Sequence, residues 1–171
     1  EAFYPMSYFI HPIPLTKSAF FPFGDVIEAE GTTLTHINQG FGRRYNDLAD
    51  VQIAAEGGST NVSVIVGSVR PHPVAIQVME RHPLGSQIFY PLQERPWLVV
   101  VCTDPKDPET FRSFHATGRQ GVNYARGVWH HPLLVRENDS HFLVIDRKGS
   151  GNNLEEYWRD AADIVLAVEP L

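Results

Sequence analysis

The sequence contains only one cysteine, and it has no long apolar run and no excess of basic residues. A lone cysteine cannot form an internal disulfide, which fits the reducing cytoplasm where we expect the protein to act. The longest apolar stretch, Trp97–Cys102, is far shorter than the roughly 18 residues that cross a bilayer. The chain carries 20 acidic and 14 basic residues, a net charge of −6. This charge argues against nucleic acid as a partner, so we expect neither a membrane protein nor a nucleic-acid-binding one.

Glycine and proline punctuate the whole chain, with 13 of each in 171 residues, which favours short strands over long helices. Apolar patterns predict eight strands, at 61–70, 74–82, 86–92, 96–103, 110–117, 131–137, 141–147 and 163–169. Two helices are predicted, a short one within 15–28 that is capped by Thr16 and another at 154–160. We therefore predict a single all-β domain over residues 1–171, an antiparallel sandwich, jelly roll or barrel with one or two short helices.

The predicted strand at 74–82 ends in two polar side chains on its apolar face. Val74, Ile76 and Val78 share one face of a regular strand, because side chains alternate with a period of two. Glu80 and His82 extend that same face. Burying an unpaired polar group costs about 1–3 kcal/mol, so two such groups at the end of a core face indicate a functional site.

The spacing of possible metal ligands gives a second observation. Glu80-x-His82-x4-Gln87 is similar to the first cupin motif, in which two histidines and a later glutamate bind a metal. Gly127-x-x-His130 is similar to the second cupin motif, which adds one histidine. The predicted metal ligands are therefore Glu80, His82, Gln87 and His130. Because glutamine is a weak ligand and a glutamate replaces one histidine, we expect a lower affinity and a harder metal.

Four segments of the chain resemble one enzyme family closely. They are HINQGFGRRYNDLAD (36–50), MERHPLGSQIFYPL (79–92), GRQGVNYARGVWHHPL (118–133) and HFLVIDRKGSGNN (141–153). The family is that of ureidoglycolate lyase, also called ureidoglycolate hydrolase. The resemblance implies a cupin-like double-stranded β-barrel, usually a homodimer, that cleaves (S)-ureidoglycolate in allantoin and purine nitrogen catabolism. It also implies a divalent metal, with nickel as the candidate.

Cleavage of ureidoglycolate, a hemiaminal, to glyoxylate and urea requires only proton transfers. Acid–base help of this kind is typically worth ~10²–10⁴-fold. As a hypothesis, His82 or Glu80 is the base on the hydroxyl, and His130 protonates or orients the departing nitrogen. If a metal binds, the histidines become its ligands and another group carries the proton. The sequence is compatible with both mechanisms, with and without a metal, for this carbon–nitrogen (amidine-type) lyase.

The substrate carboxylate calls for a cation. Arg70 shares strand parity with the valines of the 61–70 strand and is predicted to point into the barrel. The alternatives are Arg126, Arg44 and Lys148, each of which also suits an exposed surface position.

Two residues of the GVNY run, Asn123 and Tyr124, are predicted to hydrogen-bond the ureido group. Their alternative role is to satisfy the backbone of a turn. Cys102 lies within the apolar run and is expected to pack as a buried thiol rather than to act as a nucleophile.

Two other functions agree with the same residues. Glu80, His82 and His130 can form the two-histidine, one-carboxylate site of a metal dioxygenase, or serve a cupin isomerase. A non-catalytic cupin binding module is the other alternative. Incubation with (S)-ureidoglycolate separates these functions, and product analysis separates a lyase from a hydrolase, which releases ammonia and carbon dioxide in place of urea.

Overall fold

The structure is a computed structural model that describes residues 7–31, 33–159 and 162–171. Its regular elements in this part of the chain are short strands, one helix (α1, Lys17–Phe20) and three 3-10 turns. The strands of the first half are β1 (Tyr8–Ile10), β2 (Ile13–Pro14), β3 (Gly24–Ile27), β4 (Leu34–Ile37), β5 (Gly42–Tyr45), β6 (Ser59–Gly67), β7 (Val74–Ala75) and β8 (Val78–Arg81). Those of the second half are β9 (Gln87–Pro91), β10 (Trp97–Cys102), β11 (Arg112–Ala116), β12 (Gly121–Tyr124), β13 (Trp129–His130), β14 (Leu134–Val135), β15 (Ser140–Lys148), β16 (Glu155–Trp158) and β17 (Ile164–Leu166). The mainly β prediction is confirmed.

Two sheets face each other and form the body of the fold. The first sheet has the strand order β16-β8-β13-β10-β11-β2, with β14 beside β10. The second sheet has the order β3-β12-β9-β15-β6. A three-stranded sheet, β1-β17-β7, and the hairpin β4-β5 complete the architecture. Most pairs are antiparallel, as predicted, but β1 pairs with β17 and β2 with β11 in parallel.

Strand β10 is buried on both faces because each face contributes to a different core. Its odd-numbered residues enter the core between the two sheets, where they meet Phe89 and Phe142 of the second sheet. Its even-numbered residues pack beneath the three-stranded sheet. Cys102 belongs to this second core and is 2% exposed, so the predicted burial of the thiol is confirmed. Burial on both faces explains why the strand reads as a continuous apolar run. The side of each sheet that faces the core between them is called the inner face below.

The short helix begins where the sequence predicts. Thr16 Oγ1 accepts a hydrogen bond from the backbone N–H of Ala19 at 3.2 Å, which satisfies a free donor of the first turn. The helix ends at Phe20, just before Pro22, which cannot continue it. Phe20 is fully buried in the core between the sheets, so the helix closes one end of that core. Within the described residues, no helix combines the length and the apolar character needed to cross a bilayer.

The prediction of a second helix at 154–160 is wrong. Glu155–Trp158 forms strand β16, which pairs antiparallel with β8. Asp160, the last residue of the predicted helix, lies outside the described residues. Pairing satisfies the backbone of one side of β8, and an Arg81–Glu155 ion pair of 2.6 Å reinforces it. Because the helical preference of so short a segment is weak, these tertiary contacts determine its structure.

The predicted strand at 74–82 is interrupted at Ile76 and Gln77, between β7 and β8. Ile76 and Met79 therefore enter the same core, beneath the three-stranded sheet. The prediction of regular alternation across 74–82 is thus wrong. Of the three apolar residues Val74, Ile76 and Val78, only Val78 shares the face of Glu80. The break redirects the second half of the segment, so that Glu80 reaches the inner face.

Candidate metal centre and active site

Two neighbouring strands bring Glu80, His82 and His130 together. Glu80 lies on β8, His82 follows directly after it, and His130 ends β13. In the pairing register, Glu80 is opposite His130, and His130 is opposite Val101 of the core between the sheets. Residues directly opposite each other share a side of the sheet, so both polar side chains lie on the inner face.

The possible ligand atoms of Glu80, His82 and His130 all lie within 4.8 Å of one another. Glu80 and His82 are half-buried and His130 is fully buried. Three of the four predicted metal ligands therefore form a group that can hold a metal ion.

Each imidazole holds its Nδ1 against a backbone carbonyl. His82 Nδ1 lies 2.8 Å from the carbonyl oxygen of Asn153, and His130 Nδ1 lies 3.0 Å from that of Val128. A carbonyl oxygen only accepts, so each Nδ1 carries a hydrogen, and in the neutral rings each Nε2 keeps its lone pair. This arrangement is typical of metal-binding histidines, whose second nitrogen is fixed by an acceptor.

His130 Nε2 is a buried nitrogen with no hydrogen-bond partner among the described residues. It lies 3.5 Å from Glu80 Oε1, so that two acceptor atoms face each other. An unpaired buried acceptor costs about 1–3 kcal/mol. A cation bound to both atoms would satisfy both, whereas a substrate hydroxyl has one hydrogen and can donate it to one of them.

The protonation states of this pair follow from burial. Burial lowers the pKa of His130, and the neighbouring Glu80 carboxylate only partly opposes it. Burial by itself raises the pKa of Glu80, but the contact with His130 and the nearby imidazoles of His82 and His131 together leave the pKa below its ordinary value. Near neutral pH the pair is therefore an ionised carboxylate beside a neutral imidazole.

Gln87, the fourth predicted ligand, contacts both His82 and a residue that the sequence did not single out. Its Oε1 lies 3.1 Å from His82 Nε2, and its Nε2 donates to Asp146 Oδ2 at 3.1 Å. Asp146 lies on β15 and accepts a second hydrogen bond, of 3.0 Å, from Asn61 Nδ2. The signal that could have found Asp146 is the alternation of β15, which places it on the same face as Val144.

Tyr124 packs flat against His130. The two ring centroids are 4.0 Å apart and the planes differ by 7°. Burial, followed by the charge of Glu80, raises the pKa of the phenol, which stays protonated. The ring fixes the plane of His130, while the predicted hydrogen bond from Tyr124 to the ureido group stays a prediction.

Asn123 lies on the opposite face of the second sheet. Its neighbours Val122 and Tyr124 enter the core between the sheets, so Asn123 points outward by alternation. Its Nδ2 donates to Asp25 Oδ2 at 3.0 Å and to the carbonyl of Asp50 at 2.9 Å. It also lines a separate cavity of about 340 Å³. The structure therefore does not bring Asn123 to the group around His130.

The orientation expected for Arg70 is wrong. Strand β6 ends at Gly67, and Arg70 is exposed in the segment that follows. The three valines that share its parity are between 51% and 62% exposed. Ile65 and Ser63 of β6 lie opposite the core residues Phe142 and Val144, so the valines lie on the outer face and give no support for an inward Arg70.

Among the alternative cations, Lys148 has a position on the inner face. It ends β15, two residues after Asp146, and therefore lies on the same side of that strand. Arg126 donates its Nε to the carbonyl of Pro83 at 2.5 Å. Arg44 belongs to the β4–β5 hairpin. The Lys148 side chain is exposed, so strand parity alone relates this residue to the site.

Comparison with known proteins gives consistent family matches. A family model described as ureidoglycolate lyase matches residues 7–166. Ureidoglycolate lyase 1 of Rhizobium meliloti is 50% identical over 161 residues, covering 94% of this chain and 95% of that protein. The ureidoglycolate lyase of Azotobacter vinelandii is 52% identical over 159 residues, covering 92% of this chain and 96% of its own. That of Brucella ovis is 53% identical over 146 residues, covering 85% and 86%.

Solved structures give a much more distant likeness. A mutant of Bacillus subtilis oxalate decarboxylase matches with a TM-score of 0.34 and 9% identity, covering 63% of this chain and 26% of that one. A second mutant of the same enzyme matches with a TM-score of 0.33 and 10% identity, covering 59% and 23%. A likeness this distant carries no information about the activity of the present chain.

Proposed function

Because the chain belongs to the ureidoglycolate lyase family, we propose that it cleaves (S)-ureidoglycolate to glyoxylate and urea at the group formed by Glu80, His82 and His130. The observation that carries this proposal is the convergence of their ligand atoms within 4.8 Å. The hydrogens of both imidazoles are held by backbone carbonyls, so the site presents lone pairs to a substrate hydroxyl. The reaction is that of a carbon–nitrogen lyase of the amidine type.

The chemistry balances with proton transfer alone. The electron pair of the hydroxyl O–H bond becomes the second carbon–oxygen bond of the aldehyde, and the carbon–nitrogen pair leaves on the nitrogen. The hydroxyl loses one proton and the ureido nitrogen gains one. No oxidant, reductant or covalent intermediate is needed.

Glu80 suits the role of the base on the hydroxyl. Its lowered pKa keeps it ionised near neutral pH, and its side chain is 22% exposed, so a substrate can reach it. The proton that Glu80 accepts then passes to the departing nitrogen, which keeps the proton count of the site unchanged. His130 is neutral and fully buried beneath Tyr124, which suits it to orient the substrate or to bind a metal.

A divalent metal fits the same residues. The unpartnered Nε2 of His130 and the two carbonyl-bound Nδ1 atoms are what a pair of ligating histidines requires. Glu80, His82 and His130 would hold the ion, with Gln87 Oε1 as the fourth ligand. Imidazole donors suit nickel, the metal that the family resemblance implies, and also other first-row ions. Such an ion supplies Lewis acidity that lowers the pKa of a bound hydroxyl.

We propose that Lys148 binds the substrate carboxylate, because this exposed lysine ends β15 and shares the strand parity of Asp146. An ammonium at this position would hold the anionic end of ureidoglycolate by a charge-assisted hydrogen bond.

Turnover of the purified protein tests the proposal. The protein is assayed with (S)-ureidoglycolate as purified, after treatment with a chelator, and after addition of Ni²⁺ or Mn²⁺. Glyoxylate and urea are expected in equal amounts, at a rate above the uncatalysed background. No rate above background in any of these states overturns the proposal, and ammonia in place of urea assigns a hydrolase.

We further infer that the protein is a homodimer that pairs through β6. This strand lies at the edge of the second sheet and carries no charged residue. Its outer face presents Val62, Val64 and Val66, which are 62%, 53% and 51% exposed. A long, apolar edge strand is normally covered by another chain. Two copies related by a twofold axis would pair antiparallel and bring these valines into contact across the new strand pair.

A further inference from the structure

Asp146 contacts Gln87, one of the candidate metal ligands, and accepts hydrogen bonds from two side-chain amides. Its Oδ2 accepts from Gln87 Nε2 at 3.1 Å, and its Oδ1 accepts from Asn61 Nδ2 at 3.0 Å. Both carboxylate oxygens are therefore committed to amide donors. The sequence separation between Gln87 and Asp146 is 59 residues, so only the pairing of β9 with β15 brings them together.

An ionised carboxylate can only accept hydrogen bonds, and this determines which way the Gln87 amide points. Its NH₂ group faces Asp146, and its oxygen consequently faces His82 Nε2 at 3.1 Å. The reverse orientation would set the amide oxygen against Asp146 Oδ2. Since Gln87 is only 7% exposed, water has little access to compensate for the lost hydrogen bond.

The orientation of the Gln87 amide matters because the other ring nitrogen of His82, Nδ1, already donates a hydrogen bond. Its Nδ1 donates to the carbonyl of Asn153 at 2.8 Å, so Nε2 is the atom that serves the site. Gln87 Oε1 and His82 Nε2 then face each other as two acceptors that a proton or a cation must bridge. A reversed amide would instead donate to His82 Nε2 and occupy its lone pair.

We propose that Asp146 is a positioning residue, which holds the Gln87 amide so that its oxygen, and not its NH₂ group, is presented beside His82. The inference rests on the proposed function, because it concerns the same group of residues. Asp146 touches neither the substrate nor the reacting atoms, and acts through Gln87 alone.

The substitution Asp146→Asn removes the constraint with almost no change in size, because an amide at 146 can donate as well as accept. Asp25→Asn is the matched control, since Asp25 accepts from the buried amide of Asn123 on the opposite face of the same sheet. A rescue variant combines Asp146→Asn with Gln87→Glu. A carboxylate at 87 presents an oxygen to His82 whichever way it is turned, while the amide at 146 donates to its other oxygen.

Two quantities are measured for each variant, the kinetic constants with (S)-ureidoglycolate and the ¹⁵N chemical shifts of the His82 ring. Asp146→Asn is expected to lower kcat about 10–100-fold with KM within about threefold, the usual effect of losing such a supporting contact. It should also shift the His82 Nε2 signal. Asp25→Asn should leave kcat and the His82 signals at wild-type values, and the double variant should recover kcat at least about tenfold relative to Asp146→Asn.

The inference is overturned by an Asp146→Asn protein with unchanged kcat and unchanged His82 signals, by an equal loss in Asp25→Asn, or by no recovery in the double variant. If Asp146→Asn does not fold, a neutron structure of the wild type decides, because the deuterium atoms of the Gln87 amide must point at Asp146 and not at His82. A wild-type protein that does not turn over ureidoglycolate ends the proposed function. The neutron structure and the ring signals still test Asp146, since neither needs substrate.

Discussion

The imidazole rings of His82 and His130 lie with their centroids 5.3 Å apart, and each ring is anchored at Nδ1 by a backbone carbonyl. Glu80 lies beside both, so that a carboxylate and two imidazoles converge at one end of the space between the sheets. Because the hydrogens are directed away from the common centre, the arrangement is prepared for a proton or a cation before either arrives.

Loss of the His130 ring should abolish most of the activity. His130→Gln removes the unpartnered Nε2 while keeping a polar side chain, so kcat is expected to fall ~10²–10⁴-fold, the range of acid–base and ligand contributions. The measurement is the rate of urea release. His141→Gln is the control, because His141 is exposed and engages Gln93 through its backbone. Full activity of the His130 variant would show that the active site lies elsewhere in the protein.

Lys148→Met should weaken substrate binding without changing the chemical step. The loss of one charge-assisted contact to the substrate carboxylate is expected to raise KM about tenfold, equivalent to ~1.4 kcal/mol, with kcat within about twofold. Steady-state kinetics measure both constants. Lys106→Met, at an exposed lysine in the loop after β10, serves as the control and should keep the wild-type KM. An unchanged KM in Lys148→Met would assign the carboxylate to another cation.

A charge on the outer face of β6 should separate the proposed dimer. Val64→Lys places an ammonium at the centre of this apolar edge strand, where pairing of two copies would bring like charges together. Light scattering coupled to size-exclusion chromatography should show a dimer for the wild type and a monomer for the variant. Val51→Lys, at a valine that is 44% exposed outside any strand, should remain dimeric. A monomeric wild type contradicts the proposal.

Cys102 should be unreactive in the native protein. Burial, with a smaller contribution from the charge of Asp104, raises the pKa of the thiol to about 12. The reactive thiolate is therefore scarce at pH 8, and the side chain is only 2% exposed. Mass spectrometry after iodoacetamide treatment should find no adduct in the folded protein and complete labelling in denaturant. Rapid labelling of the native state would show that this core opens.

The ion pair between Arg159 and Asp163 should make stability depend on pH. Arg159 donates to both oxygens of Asp163, at 3.1 and 2.8 Å, and this contact lowers the pKa of Asp163. A lowered folded-state pKa stabilises the fold above the ordinary pKa of aspartate and loses that effect as pH falls through the folded-state value.

Asp163→Asn is therefore expected to lower the free energy of unfolding by about 1 kcal/mol at pH 7. The difference from wild type should narrow below about pH 4. Urea unfolding at several pH values measures the free energy of unfolding of both proteins. Glu94→Gln is the control, because the Glu94–Arg119 pair is 70% and 79% exposed and should contribute nothing measurable.

The sequence predicts the strands with a clear apolar pattern, and it predicts the local part of the site. The run Trp97–Cys102 and the alternation around Val144 match β10 and β15 to within one residue. Glu80, His82 and His130 were also identified, because their spacing follows motifs that depend on adjacent strands. The sequence does not predict strand β12, since its four residues, GVNY, are too few to show a period.

What the sequence could not show depends on contacts between distant segments. The carbonyl of Asn153 and the carboxylate of Asp146 have no local signature, and each meets its partner only after the sheets are assembled. The sequence predicts an inward Arg70 because valines usually mark a buried face. On the edge strand β6 that rule fails, since none of the described segments covers the outer face.

The bond between His82 and Asn153 also determines when the site can be completed. These residues are 71 positions apart, so a nascent chain that has already produced both histidines still has no acceptor for His82 Nδ1. Until Asn153 leaves the ribosome and β16 docks on β8, the His82 ring is free to rotate. Catalytic competence is thus expected to appear only after Asn153 has been synthesised and its carbonyl has fixed the imidazole of His82.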